Sequence, residues 1–192
     1  MTLFVIQLKD LLDFFELIET NFSGGNSFFH YLERIIGELL VKFREATRAD
    51  SRWILHHRIE MFTDMGLDHD YIYDTARLTE DYLEGDWSRN YRYFLIEDEG
   101  EVIGGCGISP FRVPPQVSQK TGIYAYLSNM FIERSYRRKG VGRALLRYVF
   151  DICRRNGIGL LFLHASDEGL PFYVSEGFLS LKGLMHRRIS DY

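Results

Sequence analysis

Between Tyr124 and Ile152 the chain reads as a strand, then a basic turn holding two glycines, then an amphipathic helix. This succession restricts the fold more than any other stretch. Tyr124 to Ile132 is rich in aromatic and branched residues, which favour strands. Val141, Ala144, Leu145, Tyr148, Val149 and Ile152 recur at the three-and-four spacing of one buried helical face. The turn between them is Arg137-x-x-Gly140-x-Gly142. A helix that opens on such a turn leaves several backbone N–H groups without intrahelical acceptors. Its dipole adds partial positive charge at the same place, so the turn is a seat for a phosphate or pyrophosphate. Glycine lets the ligand come close to the backbone, and Arg137, Arg138, Lys139 and Arg143 add charge. The spacing is not the Gly-x-x-x-x-Gly-Lys-Ser/Thr of nucleoside triphosphatases, nor the dinucleotide fingerprint Gly-x-Gly-x-x-Gly.

Basic runs also serve nucleic acids. Here the chain carries a net charge of −4, and the basic residues cluster at one turn rather than along a face. A phosphate-bearing cofactor therefore ranks ahead of a nucleic-acid partner. With 192 residues, 46% hydrophobic and 15% aromatic, the composition suits one compact domain with a substantial core. Cys106 and Cys153 are far apart and match no ligand or redox spacing. They read as small buried thiols in a reducing compartment. The adjacent His56 and His57 point to different sides of a helix, and no metal pattern emerges from the six histidines. The apolar residues from Leu3 to Leu17 are interrupted by Lys9, Asp10, Asp13 and Glu16, which is not the pattern of a signal peptide. No run has the length of a membrane span. The expectation is a cytoplasmic protein without membrane association.

Residues 1–40 read as two helical segments joined at Ser23-Gly24-Gly25-Asn26. They form an extension whose apolar faces suit packing on the domain or in a homodimer. From there the expected elements are a strand at Lys42 to Thr47, a helix capped by Asp50 or Ser51 and running to Met65, and a second helix from Tyr71 to Leu83. A hairpin of Arg92 to Glu97 and Glu101 to Ser109 follows, around Asp98-Glu99-Gly100. Gly104, Gly105 and Gly107 suggest a bulge or a close approach in its second strand. Residues 110–122 are an irregular connection before the central strand. The helix after the basic turn stops at Asn156-Gly157. Ile158 to Ala165 is a continuous apolar run suited to a buried parallel strand. A short helix at 167–176 and a last pair of strands, ending near Leu184 to Ile189, complete the chain.

Arg137-Arg138-Lys139-Gly140-Val141-Gly142 resembles the coenzyme A pyrophosphate loop of the GNAT N-acetyltransferase superfamily, Arg/Gln-x-x-Gly-x-Gly/Ala. The resemblance continues from Leu161 to Phe178, a strand and short helix carrying Tyr173 four residues before Gly177-Phe178. Val41 to Thr47 is similar to the first residues of many such chains, so a start at Val41 would make residues 1–40 an upstream extension and 41–192 the acetyltransferase domain. The fold implied is α/β (α+β), a mixed six- or seven-stranded sheet flanked by helices.

The resemblance implies transfer of an acetyl group from acetyl-CoA, without a metal, to a primary amine on a small-molecule or peptide acceptor. It implies that the backbones of Met130 and Ile132, with Phe131 between them, pair with the pantetheine arm, and that the Met130 N–H stabilises the thioester oxyanion. The pyrophosphate then takes the backbone N–H groups of Arg138, Lys139, Gly140, Val141, Gly142 and Arg143, beside Arg137. Ser166 stands where many members carry an arm-contacting Asn. Phe172 belongs to the coenzyme-binding set, and Tyr173 lies near the sulfur as the general acid, since an ordinary tyrosine is protonated at neutral pH. The first two helices and their connection form the acceptor wall, which here carries Asp64, Asp68, Asp70 and Asp74 with Tyr71 and Tyr73, as a cationic amine would suit. No carboxylate occupies the central strand where it would face the acceptor: Tyr124, Tyr126, Ser128 and Asn129 stand there. His164 is a candidate base, because imidazole titrates near neutrality, with packing at a strand end as the plainer role. A non-catalytic acyl-CoA-binding module is the alternative function.

Overall fold

The computed structural model describes residues 41–85, 87, 90–117, 119–181, 183, 185 and 187. The expected helices of residues 1–40 lie outside them; of the expected last strand pair, residues 178–181, 183, 185 and 187 are described, and none of these lies in a strand. The described elements are β1 (Lys42–Glu45), α1 (Ser51–Asp64), α2 (His69–Glu84), β2 (Arg92–Asp98), β3 (Glu101–Arg112), β4 (Ile123–Ile132), α3 (Val141–Arg155), β5 (Leu160–Phe162) and α4 (Leu170–Ser175). The sheet order is β1-β2-β3-β4-β5. The first three pairings are antiparallel and β4 with β5 is parallel. The mixed α/β architecture is the expected one, with five strands among the described residues rather than six or seven.

Side chains alternate along each strand, so β2 feeds two cores. Phe94 and Ile96 join Ile103, Cys106, Ile108, Ala125 and Leu127 beneath the α3 face built by Val141, Leu145, Leu146 and Val149. Tyr93 and Leu95 join Ile54, Leu83 and Trp87 on the α1–α2 side. Both cysteines are buried free thiols, and burial pushes the Cys106 thiol well above its ordinary pKa.

The glycines of β3 have a steric cause. A Cβ on Gly105 would lie 2.5 Å from Tyr93 Cε1 and 2.8 Å from Phe94 O. One on Gly107 would lie 2.1 Å from the Tyr91 hydroxyl. Bare backbone lets two tyrosine rings lie across the strand, and the β3–β4 register shifts between these same glycines.

Several boundaries differ from expectation: β1 stops at Glu45, and β3 runs on to Arg112, into the expected irregular connection, because Ser109 to Arg112 stay paired with Tyr126 to Ile123 of β4. Asp50 sits at the N-cap position of α1 but does not cap it. Its carboxylate accepts the Thr47 N–H (2.8 Å) and both terminal nitrogens of Arg44 (2.8 Å each). The strand expected over Ile158 to Ala165 shortens to Leu160–Phe162, because β5 leaves β4 after the pair Tyr126↔Phe162.

Candidate active site

The parting of β4 and β5 is the organising feature of the site. From Leu127 to Ile132, β4 has no partner on its β5 side among the described residues. Glu133 N–H donates to Ile103 O (2.9 Å), which makes Ile132↔Gly104 a non-hydrogen-bonded pair. The Ile132 N–H and C=O therefore point away from β3, into the gap, and by alternation so do those of Met130. Arg137 Nε donates to Ile132 O (2.7 Å), so at Ile132 the N–H is the group left open toward the gap.

A bulge precedes this stretch. Gly107 pairs with Ser128 and Gly105 with Phe131, so Asn129 and Met130 share the single residue Cys106. Asn129 takes φ +54° there, a left-handed conformation that Asn tolerates better than most residues. It is buried and clamped. Its Nδ2 donates to Ile54 O (3.1 Å) and to the Tyr93 hydroxyl oxygen (3.3 Å). The Tyr93 hydroxyl donates to Asn129 O (3.2 Å). With that proton committed, the Tyr93 oxygen receives Nδ1–H of His57 (2.9 Å). His57 is wholly buried, and its Nε2 finds no hydrogen-bond partner among the described residues. Burial, helped by neighbouring His56, lowers its pKa to about 3, so it is a neutral structural imidazole. Sequence reasoning did not single out this clamp, although an Asn within a run of strand-forming residues is a signal for a bulge.

After the split strand comes the basic turn. Arg138 (φ +63°) and Gly140 (φ +85°) are left-handed, and Gly140 is the N-cap of α3. Ala144 N–H donates to Gly140 O (3.0 Å), leaving the N–H groups of Val141, Gly142 and Arg143 without intrahelical acceptors. The four cations have different fates. Arg137 is drawn to Asp64 (2.5 Å) and lies over the Phe131 ring. Arg143 donates to Glu176 (2.5 Å), tying α3 to the end of α4. Arg138 and Lys139 are exposed at the turn, with the Lys139 ammonium over the Tyr136 ring.

Phe172, Met130, Ile132 and Gly142 meet. A Cβ on Gly142 would lie 3.7 Å from each of the three side chains. Ser166 is largely occupied with local structure, its Oγ accepting the Gly169 N–H (3.1 Å) at the start of α4. Tyr173 packs edge-on to Phe172 and Phe178. Burial raises its pKa, with Cys106 and Tyr126 adding to the shift, so it stays a proton donor through neutral pH.

On the opposite face, Phe111, Tyr124 and Phe162 stack across β3, β4 and β5 with ring centroids 5.6–6.3 Å apart. They line a cleft of about 740 Å³ together with Tyr126, His164 and Tyr173. Tyr126 and His164 Nδ1 are hydrogen-bonded at 2.9 Å. The expected acidic wall is partly spent on structure. Asp64 binds Arg134 (2.7 Å) as well as Arg137, and Asp68 accepts the Tyr71 N–H as the cap of α2 (2.9 Å).

Residues 55–178 match the model of the acetyltransferase (GNAT) family. The chain belongs to the GNAT family. It is 25% identical over 87 residues to a glucosamine 6-phosphate N-acetyltransferase of Trypanosoma brucei brucei, covering 45% of this chain and 57% of that protein. Human N-acetyltransferase 8 is 25% identical over 108 residues, covering 55% of this chain and 44% of its own length. The chain thus spans about half the length of these relatives. Among solved structures, a GCN5-related N-acetyltransferase from Ralstonia eutropha JMP134 superposes with a TM-score of 0.69 at 22% identity, over 78% of this chain and 99% of its own. A Clostridium acetobutylicum acetyltransferase, solved with acetyl-CoA, gives 0.65 at 22% identity, over 78% and 96%. An aminoglycoside acetyltransferase from an uncultured soil metagenomic sample gives 0.56 at 16% identity, over 80% and 97%. These likenesses establish the fold. Among the described residues no cluster of His, Cys, Asp or Glu is arranged to hold a metal ion, and no helix is long and apolar enough to cross a membrane.

Proposed function

We propose that the protein transfers an acetyl group from acetyl-CoA to a primary amine. The observation that carries this reading is continuous. The open β4 edge at Met130 and Ile132 leads through Glu133 and a short 3-10 turn (Arg134–Tyr136) to the free N–H groups at the start of α3. An extended amide-bearing arm ending in a pyrophosphate has the shape and chemistry of that path. The site residues fit coenzyme A on that ground: Met130 and Ile132 for the arm, Phe172 beside it, and Arg138 to Arg143 for the pyrophosphate. Arg137 and Arg143 serve mainly by holding the frame, since their guanidiniums are engaged by Asp64 and Glu176.

Acetyl-CoA supplies the electrophile, a thioester carbonyl. The chain's residues supply the rest. The Met130 N–H is the donor to the oxygen on which negative charge develops, a contribution of roughly 10²–10³ in rate for groups of this kind. Tyr173, kept protonated by burial, gives its proton to the departing sulfur. The bulge at Asn129 fixes the orientation of Met130. The relatives named above include enzymes of amino sugars and aminoglycosides, so the acceptor panel should contain both, with polyamines, amino acids and peptides. Thiol release from acetyl-CoA that depends on one of these amines, and is slowed by Tyr173→Phe, is the expected result. Binding of acetyl-CoA without turnover on any of them would favour the non-catalytic module. No binding would refute the assignment of the loop.

A further inference from the structure

We propose that Tyr126 and His164 form the proton relay that deprotonates the acceptor amine; this rests on the acetyl-transfer reading above. Tyr126↔Phe162 is the last rung between β4 and β5, and His164 lies two residues past Phe162. The 2.9 Å bond between Tyr126 Oη and His164 Nδ1 therefore spans the point where the strands part. Both residues line the cleft that Tyr173 also borders. Tyr126 is near enough to Tyr173 to perturb it.

The cleft offers no competing base. None of its described lining residues is Asp, Glu, Lys or Arg. The titratable groups facing the pair are Tyr124 on β4 and Tyr173 on α4. β3 contributes Phe111, β5 contributes Leu161 and Phe162, and residues 178–181 carry no titratable side chain. His164 is exposed, so a proton delivered to it can pass to water.

The step balances. The acceptor ammonium gives one N–H proton to Tyr126 Oη, and the lone pair this frees forms the bond to the acetyl carbon. Tyr126 gives its own proton to His164 Nδ1. The C–S bond breaks, and the sulfur takes the Tyr173 proton. The acylated nitrogen returns its remaining extra proton to Tyr173, and the His164 imidazolium loses its proton to solvent.

The relay requires Tyr126 to donate to Nδ1, so the neutral His164 ring must carry its hydrogen on Nε2. Nitrogen-15 NMR of histidine-labelled protein reads this without any turnover. An Nε2–H tautomer that loses its preference in Tyr126→Phe is expected, and an Nδ1–H tautomer in the native protein overturns the relay. In kinetics with an alkylamine acceptor, His164→Gln should lower kcat/KM at pH 7 by ~10²-fold or more and abolish the limb of the pH profile that it controls, with Tyr126→Phe behaving alike. With an amine already neutral at the assay pH, the loss should shrink to below about 3-fold, because no base is then needed. His56→Gln is the control. His56 pairs with Glu133 at the far end of β4 (2.9 Å), and loss of the limb in that variant instead would overturn the relay. Native enzyme that turns over an amine while His164→Gln keeps both its rate and its pH profile refutes the relay alone. Native enzyme that turns over no amine refutes the acetyl-transfer reading and the relay with it.

Discussion

His57 makes the stability of this fold depend on pH in a calculable way. Its pKa falls from the ordinary 6.5 to about 3 on folding, first because of burial and then because of His56. The native state therefore refuses a proton that the unfolded chain accepts. Above pH 6.5 neither state is protonated and native stability is intact. Below 6.5 the unfolded state gains a proton and stability falls by ~1.4 kcal/mol per pH unit. The loss levels off once the pH passes below the folded value. From pH 7 to pH 5 this amounts to ~2 kcal/mol. The structural cause is specific. The hydrogen on Nδ1 is given to Tyr93 and Nε2 is buried without a partner among the described residues, so none of them would receive the second proton of the charged ring. Urea unfolding at pH 7 and pH 5, in the native protein and in His57→Gln, isolates the effect because other titrating groups are common to both. The native midpoint should fall by about 1 M more than that of the variant, for a denaturant slope of ~1–3 kcal/mol/M. Parallel stability–pH curves for the two proteins would refute the argument.

Three further outcomes follow from backbone geometry. Gly105→Ala would force a Cβ to 2.5 Å from Tyr93 and 2.8 Å from a backbone oxygen, and should cost about 1–3 kcal/mol or more in thermal or urea unfolding. Asn129→Ala keeps the left-handed φ but loses two amide hydrogen bonds; a destabilisation of ~2–3 kcal/mol is expected, with Asn129→Gly milder by ~1 kcal/mol because glycine relieves the backbone strain. Gly140→Ala, at φ +85°, should lower stability by ~1–2 kcal/mol, read as a fall in Tm of about 2–8 °C, and weaken acetyl-CoA binding measured by calorimetry.

The periodic parts of the chain were legible. Apolar spacing located α3, the β2–β3 hairpin and β4, because one-sided burial imposes a period on any sequence that meets it. The Gly140 turn was legible because a helix start with left-handed backbone needs glycine. What the sequence concealed was where pairing stops. Leu163 and Ala165 are as apolar as a strand requires, yet they lie beyond the last rung, since composition cannot say whether a neighbouring strand remains within hydrogen-bonding distance. Pairings between distant side chains were hidden for the same reason. Arg137 and Asp64 are 73 residues apart, Asn129 and Ile54 75. The sequence offers Asp50 or Ser51 as the helix cap, but Arg44 and Thr47 claim the Asp50 carboxylate.

The bulge at Asn129 does more than bend a strand. Along an unbroken strand, residues of one parity face one side. Tyr124 faces the aromatic cleft, and Tyr126 lines it too, while Ala125 and Leu127 face α3. Without an inserted residue, Met130 and Ile132 would follow Tyr126 into the cleft. Instead both pack toward α3 and α4, and Phe131 takes the α1 side against His57 at 5.3 Å. One extra residue thus reverses the sense of the strand. It gives β4 a cleft-facing half and an α3-facing half within ten residues. A left-handed asparagine there is strained, and such strain persists only where the surroundings over-determine it. The amide of Asn129, the hydroxyl of Tyr93 and the neutral imidazole of His57 do so here. A buried histidine that weakens the fold at acid pH is then the consequence of holding one strand in two orientations.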